Sequence, residues 1–383
     1  MSKDQAGRVL SESEVKDLRN KAADFLSNLE LELEDCSNHA NHISWLNGSV
    51  SPDGISKRCC YFDRYGFIHV PNFASLAEIQ AMKQQMETLT KDWDPAKKTL
   101  AFSTDAQKNE EQGSDDYFLE SASRVHFFPE TSALDSKGSL RKEFLSKKLA
   151  ALNKSGHAMH IIPGAFRDYT TSDKLKALVR ELGWIDPVVP QSMYICKNPE
   201  IGGIVYSHQD STFLFTEPRQ SCLGLWLALD EATLTNGCLW VRPKSHFEPV
   251  RRQFKRNEEH FTRQVIDDCS NVGRGDLEKP KMVFDQLQNE TKIDWEGKLP
   301  ENSQAPCHGL LDAGFIPIEC KPGDLLAFVG ELDHLSLENY SSEKRHTFQL
   351  HLVEGPDAGV SWSKSNWLQY PKGKRFLSLN NCQ

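Results

Sequence analysis

The sequence has no excess of positive charge, and that absence removes one large class of partners at the outset. Its 45 lysines and arginines stand against 54 acidic residues, for a net charge of −9 and a pI near 5.8. With no dense basic stripe either, no nucleic-acid partner is expected. The basic run Arg251 to Arg256 is read as a solvated loop or helix face. Ten cysteines include no Cys-x-x-Cys pair and no zinc-finger spacing, and the adjacent Cys59 and Cys60 are poorly placed to bridge each other. Scattered thiols of this kind fit a reducing compartment. Long apolar runs are also missing. Met-Ser-Lys-Asp-Gln opens neither a signal peptide nor a membrane span, and Asn-Asn-Cys-Gln is not a peroxisomal ending of the Ser-Lys-Leu type. A cytoplasmic, monomeric protein is expected.

What is present suits a folded globular chain. Its 383 residues, 38% hydrophobic and 26% charged, could hold one large β-barrel domain with extensions or two modest domains. Ser11 with Glu14 makes a capping box, and Val15, Leu18, Ala22, Phe25, Leu26 and Leu29 recur at helical spacing, which predicts a helix over 11–35. A linker rich in Asn, Ser and Gly follows to about Ser56, so residues 1–56 read as an extension and 57–383 as the main domain. A short strand over 65–71 precedes a helix from about Leu76 to Trp93, and the polar, acidic stretch 103–118 predicts a mobile loop. Residues 124–187 read as mostly helical, with His157 and His160 near one helix face in a structural or substrate-side role.

From Val188 the period changes to that of strands. Residues 191–196, 223–229, 238–241, 325–329 and 345–353 form short strands separated by turns such as Thr235-Asn236-Gly237 and Lys321-Pro322-Gly323-Asp324. Residues 247–314 read as an insertion over one mouth of a barrel. The fold class is mostly β with flanking helices: a jelly-roll barrel braced by α-helices.

Within that pattern one stretch carries chemistry. His208 and Asp210 lie two apart in a β-rich context, so they point the same way. An imidazole beside a carboxylate needs one more histidine to make the two-histidine, one-carboxylate facial triad of non-haem iron oxygenases, with open positions left on the metal. His334, in the strand-like Leu332 to Ser336, is the candidate, and His246 is its rival. Eleven residues beyond His334 comes Arg345, opening a strand in which Thr347, Gln349 and His351 alternate with apolar Phe348, Leu350 and Leu352. That alternation turns Arg345 toward a pocket, where its fork of donors would match a distal carboxylate. No comparable arginine follows His246, which is better explained as bonding a turn backbone. A zinc hydrolase fits less well, because no carboxylate is placed as general base and Arg345 would then have no purpose.

The segments Gln191 to Ile195, His208-Gln209-Asp210, Asn236 to Trp240, Gly323-Asp324 with His334-Leu335-Ser336, and Trp362-Ser363 with Asn366 to Gln369 resemble the phytanoyl-CoA dioxygenase family, over about Tyr61 to Tyr370. The resemblance implies a double-stranded β-helix and an Fe(II)- and 2-oxoglutarate-dependent dioxygenase. Such an enzyme uses O2 to hydroxylate a small or lipid-like substrate and releases succinate and carbon dioxide. It makes His208, Asp210 and His334 iron ligands and Arg345 the clamp on the distal carboxylate of 2-oxoglutarate, with Ser336 beside it. Met193 and Trp226 match residues lining the cosubstrate pocket, core packing being their plain alternative. Arg124 falls where relatives carry a lysine that contacts 2-oxoglutarate. Tyr206-Ser207 stands where relatives often have proline, and residues 247–314 are longer than the family pattern. The alternative function is a metal- and 2-oxoglutarate-binding sensor or scaffold without hydroxylation.

Overall fold

A computed structural model describes residues 10–31, 56–102, 113–261, 278–287 and 306–381. Helix α1 (Glu12–Leu31) starts at the expected capping box: the Ser11 N–H donates to Glu14 Oε2 at 2.8 Å and the Glu14 N–H to Ser11 Oγ at 3.3 Å. Positions 32–35 lie outside the described residues. Helix α2 (Lys57–Tyr65) is capped by Ser56 and ends at Gly66, whose φ of 81° is the left-handed conformation a helix stop favours. Helix α3 (Leu76–Asp92) repeats the capping box with Ser75 and Glu78 and turns Ile79, Met82 and Met86 into the core.

Two antiparallel sheets follow from the alternating segments. The larger runs β1 (Phe67–Val70), β12 (Leu325–Val329), β7 (Leu223–Ala228), β14 (Arg345–Glu354), β4 (Pro187–Lys197), β3 (Leu152–His157) and β2 (Val125–Pro129), with β16 (Leu377–Ser378) also on β4. The smaller runs β11 (Ile316–Ile318), β8 (Leu239–Val241), β13 (His334–Ser336) and β5 (Val205–His208). Strand β7, apolar on both faces, is buried throughout and sits between β12 and β14, as its composition requires. Two short ribbons pair β9 (Arg252–Arg256) with β10 (Met282–Gln286) and β6 (Thr216–Glu217) with β15 (Ser361–Trp362).

Three expectations change. Residues 124–187 are not mostly helical: β2 and β3 occupy part of the span, and only α5 (Ala165–Thr170) and α6 (Asp173–Glu181) are regular helices between them and β4. Leu145, Leu149 and Leu152 share no helix face, since Leu145 is exposed and Leu152 opens a strand; their helical spacing misled. His157 therefore ends a strand and His160 sits in a 3-10 turn. The expected loop over 103–118 becomes helix α4 (Asp116–Glu120) at its far end, capped by Asp115, while 103–112 lie outside the described residues. The run Arg251 to Arg256 is no solvated face either. It forms β9 with Arg251 and Arg256 buried, the Arg251 guanidinium on the Asp333 carboxylate and Arg256 Nε donating to the Asn366 carbonyl at 3.2 Å.

Burial also fixes how the core answers acid. His160, between Ser192 and Tyr370, and His346, between Tyr194 and Asn198, are both fully enclosed. Burial pulls each imidazole down to about 3, for His346 against the attraction of Asp230. Unfolded histidine titrates near about 6.5, so below that pH the unfolded chain binds more protons. The stability these groups contribute is complete above about pH 6.5 and is lost as pH falls toward 3, roughly 2 kcal/mol each by about pH 5. Urea unfolding should show a midpoint that drops between about pH 7.5 and about pH 5, and His346→Gln, which keeps a donor and an acceptor, should recover about 2 kcal/mol of that loss.

Candidate active site

Strand pairing assembles the site. In the smaller sheet His334 stands directly across from His208 on β5. Asp210 is not on that strand, as its spacing had suggested: β5 stops at His208, and Asp210 opens a 3-10 turn, Asp210–Thr212. Gln209 between them points the other way, its amide donating to the Glu331 carbonyl at 3.0 Å and accepting the Arg251 N–H at 3.1 Å. The kink still brings the three side chains together. One ligand atom from each of His208, Asp210 and His334 lies within 4.8 Å of the other two, with Asp210 Oδ1 3.5 Å from His208 Nε2 and 3.7 Å from His334 Nε2.

Neighbouring groups fix which atoms face inward. His208 Nδ1 lies 2.8 Å from the Tyr206 carbonyl and His334 Nδ1 3.0 Å from the Leu332 carbonyl. A carbonyl only accepts, so both Nδ1 atoms carry the proton and both Nε2 lone pairs are left for a metal. His351 on β14 does the same for the carboxylate: its Nδ1 accepts from the Gln191 amide at 3.2 Å, so its Nε2–H donates to Asp210 Oδ2 at 3.0 Å, and Oδ1 is left toward the histidines. Burial alone would push the Asp210 carboxyl up, but His351, His334 and His208 outweigh it and hold the group well below the usual carboxylate range. Burial and the His208 ring pull His334 down to about 4. The set is a carboxylate and two neutral imidazoles at one point, the donors a divalent transition metal takes. Behind it, Asp333 accepts from both Arg242 and Arg251, so the residue before His334 is pinned by two guanidiniums.

A cavity of about 170 Å³ opens over these atoms between the two sheets. Arg345 lies in its wall, fully buried, over the Trp226 ring at 5.6 Å, and reaches only hydroxyls: Thr347 Oγ1 at 3.4 Å and Ser336 Oγ at 3.3 Å, the latter hydroxyl itself donating to the Gly237 carbonyl. Burial pulls its guanidinium down to about 10. No carboxylate among the described residues pairs with it, and its Nε has no partner. A desolvated fork of donors facing a cavity is a seat for a carboxylate. Met193 and Trp226 line the same wall.

Arg124 does not. It is exposed just before β2, where its backbone N–H donates to the Ser121 carbonyl and its carbonyl accepts the His157 and Ala158 N–H groups. Its place in the wall is taken by Lys154 on β3, whose Nζ lies 3.9 Å from Met193 Sδ and 3.4 Å from the Phe102 ring centre; burial drives this amine well below its ordinary value. Sequence reasoning passed over Lys154 because it read β3 as helix. His351 had a signal, since it lies on the polar face of the Arg345 strand. His157 lines the cavity against Trp367, 4.9 Å between ring centres, and His160 is buried away from it. The rival His246 is buried with Nε2 donating to the Asp63 carbonyl at 2.9 Å, the backbone role expected of it.

Three converging ligand atoms beside a buried guanidinium with no carboxylate partner are what a non-haem iron, 2-oxoglutarate-dependent oxygenase requires, and that is the class of this chain. Comparison with known proteins agrees. Residues 62–347 match the family described as Phytanoyl-CoA dioxygenase (PhyH), and this chain belongs to that family of Fe(II)-, 2-oxoglutarate- and O2-dependent enzymes. A phytanoyl-CoA dioxygenase of Arabidopsis thaliana is 36% identical over 327 residues, 85% of this chain and 96% of that protein. Phytanoyl-CoA dioxygenase domain-containing protein 1 of Mus musculus is 36% identical over 322 residues, 84% of this chain and 95% of that protein. The crystal structure of the epimerase SnoN, in complex with Fe3+, alpha ketoglutarate and nogalamycin RO, superposes with a TM-score of 0.51 at 12% identity, covering 86% of this chain and all of that one, a likeness of cupin-like fold.

The hydrogen bond from His351 yields a direct test. His351→Ala removes the donor that orients Asp210 without touching the three facing atoms. Loss of such an outer partner typically costs about 10- to 100-fold in metal affinity, so Mn(II) titration of the variant, read by electron paramagnetic resonance, should show weakening in that range while the fold is retained.

Proposed function

We propose that this protein hydroxylates a small, largely apolar substrate, with His208, Asp210 and His334 holding Fe(II) and Arg345 holding the distal carboxylate of 2-oxoglutarate. The convergence of three ligand atoms and an unpaired buried guanidinium on one cavity carries the reading. Bound there, Fe(II) would supply the activation of dioxygen that is coupled to oxidative decarboxylation of 2-oxoglutarate to succinate and carbon dioxide. The protein's own part is positional. Tyr206 and Leu332 carbonyls and His351 orient the three ligands, Ser336 and Thr347 hold the Arg345 fork, and Trp226 and Met193 form the floor on which the cosubstrate rests. Lys154, rather than Arg124, is the second basic group in the wall, an amine that a bound carboxylate would draw back to its charged form. The intact Asp210 favours hydroxylation, because in halogenases of this fold that carboxylate is lost to make room for halide.

The substrate end of the cavity is aromatic. Phe102, Phe118, Phe213, Phe254 and Trp367 line it, with Arg252 of β9 as the charged member. Such a wall excludes water and suits an apolar, lipid-like molecule. Phe254 and Arg252 come from β9, so part of the 247–314 insertion closes this mouth; 262–277 and 288–305 lie outside the described residues. The double-stranded β-helix is supported by the strand order. Counting β4, β5, β7, β8, β11, β12, β13 and β14 as first to eighth, the sheets read first-eighth-third-sixth and second-seventh-fourth-fifth, the interleaving of a jelly roll. We divide the chain into a 1–56 extension and a 57–383 catalytic domain. We place the protein in the cytosol as a monomer; Cys59, Cys60, Cys196, Cys222, Cys238 and Cys320 are free thiols. No helix among the described residues is long and apolar enough to cross a membrane.

Anaerobically loaded Fe(II) protein, given 2-oxoglutarate and air, should form succinate, and His208→Ala or Asp210→Ala should abolish it; turnover retained in both would refute the assignment. With isotopically labelled dioxygen, metabolite profiling should find a product heavier by one labelled oxygen. Exchanging the fork for a point charge in Arg345→Lys should raise the KM for 2-oxoglutarate about 10- to 100-fold, the worth of a charge-assisted bidentate contact. Lys154→Ala should raise that KM as well, whereas Arg124→Ala should leave it unchanged.

A further inference from the structure

Outside the cavity, one other group of metal-ligating side chains converges among the described residues: His69, Cys320 and Asp324, with one ligand atom from each within 4.8 Å of the other two. His69 is the outward residue of β1, and Cys320 and Asp324 flank the turn that leads into β12, the strand β1 pairs with. His69 Nε2 lies 3.1 Å from Asp324 Oδ2 and 4.0 Å from Cys320 Sγ.

Two of the three are held by backbone. Asp324 accepts the Asn72 N–H on Oδ1 and the Lys321 N–H on Oδ2, each at 2.9 Å. Cys320 exchanges two hydrogen bonds with Ala232, at 2.8 and 2.9 Å. Both are buried, while the His69 side chain is 35% exposed and opens the group to solvent. Metal distances of about 2.0–2.1 Å to nitrogen or oxygen and about 2.3 Å to sulfur place tetrahedral neighbours about 3.3 Å apart for N and O and about 3.6 Å apart for N and S. The observed separations differ from these by a few tenths of an ångström, within reach of a rotation of the exposed imidazole. A thiolate and a carboxylate together neutralise a divalent ion. A cap of the turn by His69 would account for its bond to Asp324, and the Cys320 thiol also donates to the Ile318 carbonyl at 3.9 Å, a long contact it would give up on binding a metal; burial pushes this thiol up, so binding would release its proton.

We propose that His69, Cys320 and Asp324 bind a borderline divalent cation of the zinc class, with water from the exposed side as fourth ligand. The site is distinct from the cavity and would clasp β1 to the 321–324 turn.

Co(II) is the probe, titrated into the full-length protein. The cavity triad contains no sulfur, so only a cysteine-ligated site can give a thiolate-to-cobalt charge-transfer band in the near ultraviolet. That band should saturate at one equivalent of sulfur-bound cobalt, persist in the double variant His208→Ala, His334→Ala, and vanish in Cys320→Ser. In His69→Gln the affinity read from the same band should fall at least about tenfold, the usual loss for a disturbed ligand set. Because His69 is on the surface, this second variant decides the matter even where Cys320→Ser fails to fold. Absence of the band, its survival in Cys320→Ser, or unchanged affinity in His69→Gln would overturn the site.

Discussion

The structure depends above all on the register between β5 and β13. His334 faces His208 across that pair, and a slip of one residue would turn one imidazole to the opposite face of the sheet. Several otherwise unrelated contacts guard this register. Gln209 is buried and bonded to Glu331 and Arg251, so the backbone between His208 and Asp210 cannot rotate freely. Asp333, just before His334, is enclosed by Arg242 and Arg251, and its N–H donates to Ser245 Oγ at 2.9 Å. On the other edge, Leu335 lies opposite the buried Trp240 of β8. The smaller sheet is thus held from both sides at its one chemically important rung.

Buried charge divides into two kinds around this rung. Arg242, Arg251 and Asp333 compensate one another and act as scaffold. Arg345 and Lys154 meet no carboxylate among the described residues and face the cavity. A cation buried without a partner destabilises a fold by several kcal/mol, and both groups are pulled toward neutrality by that desolvation. The proposed cosubstrate carries two carboxylates, and its binding would relieve the penalty at both. The cost carried by the protein alone becomes selectivity, because a ligand lacking either carboxylate would leave one cation stranded.

Much of this was legible in residue order. Alternation along β14 placed Arg345 and His351 on one polar face, and two-residue spacing drew attention to His208 and Asp210. The three side chains converge although the local geometry was misread: Asp210 begins a turn rather than extending a strand, and the turn aims it at the same point. The failures share a cause. Between 124 and 187, leucines at helical intervals suggested helix, but tertiary pairing with β4 drew Leu152 to His157 into the larger sheet. With that strand unrecognised, Lys154 had no face, and Arg124 was named because it falls where relatives carry a lysine. The run Arg251 to Arg256 was read as solvated because charge density alone cannot show that Asp333 and the Asn366 carbonyl receive those side chains across large sequence separations.

Strand β9 joins the two halves of the functional argument. Arg251, beside its first residue, braces Asp333 and so the histidine rung, while Arg252 and Phe254 enter the cavity wall. Phe254 in turn packs against Phe213, 5.7 Å between ring centres, and Phe213 against the His208 ring at 6.1 Å. A chain of contacts therefore runs from β9 to one of the proposed metal ligands. Arg251, Arg252 and Phe254 thus tie the cavity wall to the rung that carries the two histidines, and a displacement of β9 would be felt at both.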